Sequence, residues 1–372
     1  MAIWRWHIVL PVVLALTQAG CAETLEQRAE HRAKEEVRQR YQDTCAASNK
    51  TAVGREFSIV LFVNNQVVLE DWNVAPTDCL SWETACPTIG AALGKLRRHV
   101  TNQTVLVAVA STLRPYEEPV LCGGIRRKRL VIRGGHIPHA RCEEDWDPTY
   151  TTHIHLPAAR HQGSAVSVRG FEQNVTISNF TWRGNGRPVR VGGTQTRVRF
   201  RRCVFNAVPL WVSAAKEVWA DSCTWVDSTM WFGGMTQKVT IDDCTVEAAG
   251  SDGMGFMSVD EVTVRNTVIK NNVWTTGAYP GLFFGKRAEG ITLDRVTFVG
   301  NRVASRVDPS SPFTVAAVMS GRNVRRLRDV RFFNNTDGEG KSIVTGVYAH
   351  DLGQYLLHKE PPPAADEGSD GG

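Results

Sequence analysis

The stretch Val239-Thr-Ile-Asp-Asp-Cys244-Thr-Val246 is one copy of a phrase that returns along the middle of the chain. Its apolar residues Val239, Ile241, Cys244 and Val246 alternate with polar ones, which is typical of a strand with one buried face. The alternation slips by one residue between Ile241 and Cys244. We therefore expect two short strands joined by a bend at this point.

Six other segments carry the same pattern: Val175–Trp182, Val198–Phe205, Val218–Trp225, Val262–Ile269, Ile291–Phe298 and a shorter copy, Arg328–Phe332. When the copies are aligned on Phe180, Cys203, Cys223, Cys244, Thr267, Val296 and Val330, successive steps are 23, 20, 21, 23, 29 and 34 residues. A period in the low twenties that combines strands with turn residues indicates a solenoid. Leucine-rich repeats have a similar period, but their L-x-x-L-x-L signature is absent.

Stacking the copies at the strand spacing of roughly 4.8 Å predicts columns of like residues. The inward column is large and apolar: Trp182, Phe205, Trp225, Val246, Ile269, Phe298 and Phe332. The outward column mixes charges of both signs: Arg201, Asp221, Asp242, Arg265 and Asp294. Asparagines follow the inward column by three residues, where a side-chain amide can cap the backbone of a turn: Asn185, Asn272, Asn301 and Asn335.

This arrangement resembles the right-handed parallel β-helix proteins of the pectin-lyase-like superfamily. Upstream, the order Cys86-Pro-Thr-Ile, a strand, Tyr116-x-Glu118, a strand and Arg133-Gly resembles the N-terminal cap and first coils of the polymorphic outer-membrane and adhesin type. The resemblance implies an all-β chain, a right-handed parallel β-helix solenoid with an N-terminal helical cap. It specifies the fold far better than the activity.

The rest of the chain predicts an exported protein. Residues 1–22 have the basic start, short apolar run and small residues of a secretory signal peptide, and no later stretch is apolar enough to span a bilayer. Residues 23–54 form a charged segment with a helical apolar stripe, residues 55–355 the β-helix, and residues 356–372 an acidic, disordered tail. We expect a secreted protein, or one on an extracellular or virion surface.

Cysteines and sequons agree with that compartment. Cleavage after Ala22 would leave eight of the nine cysteines, and in the cap we expect the disulfides Cys79–Cys86 and Cys122–Cys142. The inward cysteines of the repeat can form either a thiol ladder or disulfides between coils. Candidate glycosylation sites are Asn49, Asn102, Asn174, Asn179 and Asn334.

Catalytic and metal sites have few candidates. Polysaccharide lyases of the superfamily use carboxylate-held calcium, and its hydrolases use paired aspartates, but their characteristic motifs are absent here. Asp242, Asp243 and Asp252 are the nearest approach to a catalytic carboxylate set. His136 and His139, followed by Cys142, are the candidate metal ligands. We expect no cofactor, except calcium if the protein is a lyase.

Tryptophans at positions outside the inward column are the candidate binding residues. Trp219 aligns with outward positions and Arg199 lies one coil away, while Trp211 and Trp231 lie in the variable return segments. Exposed tryptophan on a flat β face is suited to stacking on sugar rings.

With a formal charge of only +5, the chain does not suggest a nucleic-acid partner. The sequence favours a non-catalytic glycoprotein that binds glycans or a partner surface; the alternative is a polysaccharide-active enzyme with a divergent site.

Overall fold

In the computed structural model, the protein is described at residues 57–66, 78–80, 82, 84–97, 101–125, 127–137, 149–156, 163–170, 174–184, 186–248, 253–274, 281–303, 316–318, 321–336, 346–349 and 351–358. The predicted signal peptide, the segment 23–54 and most of the predicted tail lie outside these residues. Within them, no helix has the length and apolar character needed to cross a membrane.

One α-helix and 25 β-strands are present in this part of the chain. The helix α1 spans Ile89–Arg97. The strands are β1 Ile59–Val63, β2 Thr101–Ala110, β3 Val120–Leu121, β4 Arg127–His136, β5 Thr152–His155, β6 Val166–Arg169, β7 Asn174–Ser178, β8 Phe180–Arg183, β9 Val189–Arg201, β10 Val204–Asn206, β11 Leu210–Asp221, β12 Thr224–Val226, β13 Met230–Phe232, β14 Thr236–Asp242, β15 Thr245–Glu247, β16 Met254–Lys270, β17 Val273–Trp274, β18 Leu282–Ala288, β19 Ile291–Val299, β20 Arg302–Val303, β21 Ala316–Val318, β22 Val324–Arg328, β23 Arg331–Phe333, β24 Gly346–Ala349 and β25 Gln354–His358.

All of these strands except β17 and β20, which pair with each other, and the antiparallel β25 form three parallel stacks that run along the molecule. Stack 1 contains β1, β2, β4, β7, the ends of β9 and β11, β14, the middle of β16, the start of β19 and β22. Stack 2 contains β5, β8, β10, β12, β15, the ends of β16 and β19, and β23. Stack 3 contains β3, β6, the starts of β9, β11 and β16, β13, β18, β21 and β24. This is the parallel β-helix that the repeat predicts.

The bend expected between Ile241 and Cys244 is made by a residue with positive φ. Asp243 has φ of 52°, and it separates the end of β14 from the start of β15. Other coils use an equivalent residue between stacks 1 and 2: Asn179, Arg202, Ser222, Asn266, Arg295 and Asp329. This left-handed conformation turns the chain within one residue and moves the next side chain back into the core.

The predicted inward column is the core of stack 2. All seven of its side chains are buried, and its aromatic rings stack from coil to coil. The ring centres of Trp182 and Phe205 lie 4.9 Å apart, those of Phe205 and Trp225 lie 5.1 Å apart, and those of Phe298 and Phe332 lie 5.0 Å apart. Stacked aromatic pairs stabilise the structure beyond the area that they bury.

The outward column, which mixes charges of both signs, forms ion pairs between its members and with neighbouring arginines. Asp221 accepts contacts from Arg199 at 2.9 Å and Arg201 at 3.2 Å. Arg265 lies 2.6 Å from Asp242, and Arg328 lies 2.6 Å from Asp294 one coil further on. The arginines of these pairs are exposed and the carboxylates largely buried, so each pair contributes modestly and the ladder also prevents repulsion between stacked coils.

The asparagines at the turn into stack 3 form a buried hydrogen-bonded ladder. Asn301 Oδ1 accepts from the Asn272 backbone N–H and Nδ2, and Asn301 Nδ2 donates to Asn335 Oδ1 and to the Ile269 carbonyl. These bonds satisfy the backbone of a tight buried turn, the role that the sequence predicts. Asn185 lies outside the described residues.

The helix α1 follows Cys86-Pro-Thr, and the Tyr-x-Glu segment explains its position. Glu118 accepts from the Ile89 N–H at 2.5 Å and the Gly90 N–H at 2.9 Å, so its carboxylate binds the helix N-terminus. The Tyr116 hydroxyl donates to the Val63 carbonyl at 3.3 Å. In the Tyr-x-Glu segment, Glu118 therefore attaches α1 to the first coils, and Tyr116 bonds to β1.

The C-terminal end of the β-helix extends further than predicted. β25 runs antiparallel to β24, and it reaches His358, whereas the sequence places the end of the domain at residue 355. The apolar residues Leu356 and Leu357 pack against the core, which is why the strand continues into the predicted tail.

Candidate functional site

The outer face of stack 1 carries a groove of about 350 Å³. On the first coils this face is covered by an apolar cluster that includes the buried Val131. The groove begins where that cluster ends, at Thr176, which pairs with Val131 in the next coil. The groove is lined by Arg129, Asn174, Thr176, Arg197, Val198, Arg199, Arg201, Glu217 and Trp219. These residues come from β4, β7, β9 and β11, so the groove crosses four coils, about 14 Å at the usual strand spacing.

Trp219 and Arg199 meet in this groove, as the sequence predicts for outward neighbours. They are register partners, and the Arg199 guanidinium carbon lies 4.2 Å from the centre of the Trp219 ring. Arg199 Nη2 also donates to Asp221 Oδ2 at 2.9 Å. One face of the ring is therefore covered by a cation that the next coil holds in place.

Positive charge exceeds negative charge at the groove. Four arginines line the groove. Glu217 lies 3.8 Å from Arg197, and Asp221 forms ion pairs with both Arg199 and Arg201. Arginines therefore outnumber carboxylates among these residues. Guanidinium groups bind carboxylates and sulfates through paired N–H donors, so this balance favours an anionic ligand.

A second groove of about 460 Å³ continues the first along stack 1. The two share Arg197 and Glu217, and the second extends to Arg325 on β22. Its lining mixes charges of both signs: Arg197, Lys216, Glu217, Gln237, Lys238, Asp260, Glu261 and Arg325. Together the grooves follow the axis of the solenoid, a direction suited to an extended chain.

Trp211 and Trp231 do not belong to this groove, contrary to the grouping expected from sequence. They lie on stack 3, where β11 and β13 pair, because the return segment is itself a regular strand. Trp211 is 45% exposed, with the Arg190 guanidinium 5.4 Å from its ring centre. The Trp231 ring lies over Gly255, where any Cβ would clash with it at 2.3 Å. The four predicted binding residues therefore occupy two separate faces.

The candidate catalytic carboxylates have structural contacts. Burial alone would raise the pKa of Asp242, but hydrogen bonds from Arg265 and Asn266 outweigh it and hold that pKa below its usual range. Asp243 forms the bend and accepts from the Ser222 hydroxyl at 2.9 Å. Asp252 lies outside the described residues. A general acid needs a raised pKa, so Asp242 is unsuited to that role.

The candidate metal ligand His136 is used within the fold. It is 1% exposed, and its Nε2 accepts from Arg133 Nε at 3.1 Å. Among the residues that the structure describes, no three His, Cys, Asp or Glu side chains are grouped to hold a metal ion. His139 and Cys142 lie outside that part of the chain.

Cysteines take two roles. Cys79 and Cys86 form the expected disulfide. Cys122 is buried, but Cys142 is not described, so their pairing stays a prediction. Cys203, Cys223 and Cys244 are buried free thiols in one column, and the last two donate to the Asp221 carbonyl at 3.3 Å and the Asp242 carbonyl at 3.1 Å.

Thr267 continues that column and donates in the same way, to the Arg265 carbonyl at 2.7 Å. The column is therefore a set of short side-chain donors that satisfy the carbonyl two residues earlier, at the bend. Burial raises the pKa of Cys223 and Cys244 above the usual thiol range, so the reactive thiolate is disfavoured.

The five sequons differ in accessibility. Asn179 is 2% exposed and its Nδ2 donates to the Tyr150 carbonyl at 3.2 Å, so the fold leaves no room for a glycan there. Asn334 is exposed, and Asn174 lines the groove. Asn49 and the side chain of Asn102 are not described.

Sequence reasoning missed most of the groove. Arg129, Arg197, Arg201 and Glu217 were not predicted as binding residues, although Arg197 and Arg201 lie two positions either side of Arg199 on the same strand face. Residues at i−2 and i+2 of an outward residue share its face, and this was the available signal.

Comparison with known proteins agrees with the architecture. Residues 164–336 match the family described as the right handed beta helix region. This part of the chain is a right-handed parallel β-helix. No curated protein and no solved structure matches the chain.

Proposed function

We propose that this is a secreted, non-catalytic β-helix glycoprotein that binds negatively charged glycans, or an acidic patch on a partner surface, along the outer face of stack 1. The observation that carries the proposal is the groove that Arg129, Arg197, Arg199 and Arg201 line together with Trp219. Its placement in the pectin-lyase-like superfamily rests on the β-helix family match and on the sequence resemblance.

The chemistry of the groove supports an anionic polymer. Three of the four lining arginines, Arg197, Arg199 and Arg201, lie at alternate positions of one strand, and Arg129 lies two coils away. Their guanidinium groups offer donors to more than one acidic group of a polysaccharide. Trp219, which is half-buried in the groove wall, adds an apolar surface for a sugar ring. The second groove prolongs this line towards Arg325.

Export is supported by the predicted signal peptide together with the Cys79–Cys86 disulfide. Disulfides persist in oxidising compartments, which include the secretory pathway and the extracellular space. We therefore place the protein outside the cell or on a virion surface, where glycans are the abundant acidic polymers.

The alternative, a polysaccharide lyase or hydrolase, lacks a suitable acid set in the described groove. Glu217 is its one lining carboxylate, and it is paired with Arg197. Calcium prefers six to eight oxygen ligands with several carboxylates, so the arginine-rich lining does not fit this ion. Hydrolysis by paired carboxylates is likewise unsupported by these residues.

The test is a binding and turnover panel on the full secreted chain. Heparin, polygalacturonate, alginate, hyaluronan and neutral dextran are each assayed for binding, and for cleavage with and without calcium. We expect binding of acidic polymers that weakens with salt, and no cleavage. Turnover of any polymer would establish the enzyme instead.

A double variant localises the binding. Arg197→Gln with Arg201→Gln should weaken heparin binding roughly tenfold or more, since each loses a charged donor. Arg183→Gln, on the exposed face of stack 2, removes the same charge elsewhere and should leave binding unchanged. If the double variant binds like Arg183→Gln, the groove is not the site.

A further inference from the structure

The sequon Asn174-Val-Thr176 forms part of the groove wall. Both Asn174 and Thr176 line the groove, and in the register Asn174 pairs with Arg197 while Thr176 pairs with Arg199. The acceptor asparagine thus lies one strand away from the arginines that carry the proposed binding function. The strand β7 alternates, which turns Val175 into the core and these two residues outward.

The amide of Asn174 is available for modification. It makes no hydrogen bond to the described residues and is only partly buried. The environment of Asn179, five residues later, differs in both respects. Its amide donates to the Tyr150 carbonyl, and its side chain is almost completely buried. Of these two adjacent sequons, the fold admits a glycan only at Asn174.

We propose that an N-linked glycan on Asn174 controls access to the stack 1 groove. In the transfer, Asn174 Nδ2 bonds to C1 of the sugar in a lipid-pyrophosphate oligosaccharide. The C1–O bond to the pyrophosphate breaks, and the amide loses one proton. The first sugar then lies beside Arg197, and the branches above it occupy the space that a polymer ligand needs.

This proposal rests on the proposed function, since it concerns access to the same groove. It adds that glycosylated and unglycosylated copies of the chain differ in affinity. A cell type that leaves Asn174 unoccupied, or an enzyme that trims its glycan, would open the site without any change in the fold.

The experiment uses the full chain secreted from a cell line that attaches N-glycans, with heparin as the probe. Occupancy of Asn174 is measured by mass spectrometry of glycopeptides. Binding is then compared for wild type, enzymatically deglycosylated wild type, Asn174→Gln and Asn334→Gln. The last variant removes a sequon at an exposed turn outside the groove.

We expect Asn174 to be occupied, and we expect Asn174→Gln and the deglycosylated protein to bind roughly tenfold tighter than wild type. Asn334→Gln should bind like wild type. An unoccupied Asn174, or an occupied one whose removal leaves the affinity unchanged, would overturn the proposal.

Failure of the proposed function gives a different result. In the Asn174→Gln background, adding Arg197→Gln and Arg201→Gln should abolish the gain. If no form of the protein binds heparin or polygalacturonate, groove binding falls, and access control falls with it. If the groove binds equally with and without the glycan, only access control falls.

Discussion

The guanidinium of Arg199 stacks on the ring of Trp219, one coil further along the same face of stack 1, at 4.2 Å. Such a contact contributes about 0.5–1 kcal/mol at exposed sites and more when water is excluded. The same arginine is held by Asp221, so its donors are fixed before any ligand arrives. Trp219 therefore orients a cation as well as offering a surface to a sugar.

Replacing Trp219 should damage binding and spare the fold. Trp219→Ala removes the surface that orients Arg199, and we expect heparin affinity to fall by about 1–3 kcal/mol. The change is on the outer face, so the melting temperature should stay close to that of wild type. Calorimetric titration beside a thermal melt measures both effects.

The matched control is Trp225→Ala, on the next strand along the chain. Trp225 is fully buried and stacks on Phe205, so truncation opens a cavity that costs about 3–5 kcal/mol. Should Trp219→Ala melt as early as Trp225→Ala and bind normally once folded, the groove face would be structural only.

The cysteine column should tolerate threonine better than valine. Cys223→Thr keeps a donor for the Asp221 carbonyl, as Thr267 does for Arg265 in its own coil. Cys223→Val has nearly the same volume and no donor. We expect the valine variant to be less stable than the threonine variant by about 1 kcal/mol in urea unfolding. Equal stability would show that the column needs only volume.

The asparagine ladder should be more important to stability than its few residues suggest. Asn301→Ala leaves the Ile269 carbonyl and the amide of Asn272 buried without their partner. Each lost partner costs about 1–3 kcal/mol, so we expect a loss on the order of 3 kcal/mol in the free energy of unfolding. Thr297→Ala, outward on stack 2, should change it by less than about 0.5 kcal/mol. Similar values for both variants would contradict the ladder's role.

The ion pair of Asp242 should stabilise the fold above acid pH. Its pKa is lowered in the folded state from the ordinary value of 3.8, so the folded protein binds fewer protons than the unfolded chain. The contribution is fully present above that value and is lost as pH falls through the lower folded pKa. Asp242→Asn should therefore be less stable than wild type at neutral pH, with the difference shrinking below about pH 4. A difference that is constant with pH would mean that the pair contributes nothing.

The sequence predicted the repeat because its signals are local. Alternation places Trp182, Phe205 and Trp225 in the core without knowledge of any distant contact. The phase slip before Cys244 likewise locates a bend, since one residue of positive φ is what a one-residue slip requires. Both features repeat in successive coils, so an error in one copy is corrected by the others.

The groove was harder to predict because it depends on register between coils. Arg129, Asn174 and Arg197 are separated by segments of different length, and only the hydrogen-bonded pairing brings them side by side. The return segment that contains Trp211 varies in sequence from coil to coil, so the repeat pattern did not predict the strand there. The environment of Asn179 likewise depends on contacts between coils, because its amide donates to the Tyr150 carbonyl.

The antiparallel pairing of β24 with β25 has a consequence for self-association. A parallel β-helix has no inherent length, because each coil offers the next the same row of unpaired N–H and C=O groups. At stack 3, β25 reverses direction and takes up the row that β24 would otherwise present. A second copy of the chain cannot continue this stack in parallel register, so the reversal of β25 opposes end-to-end growth of fibres.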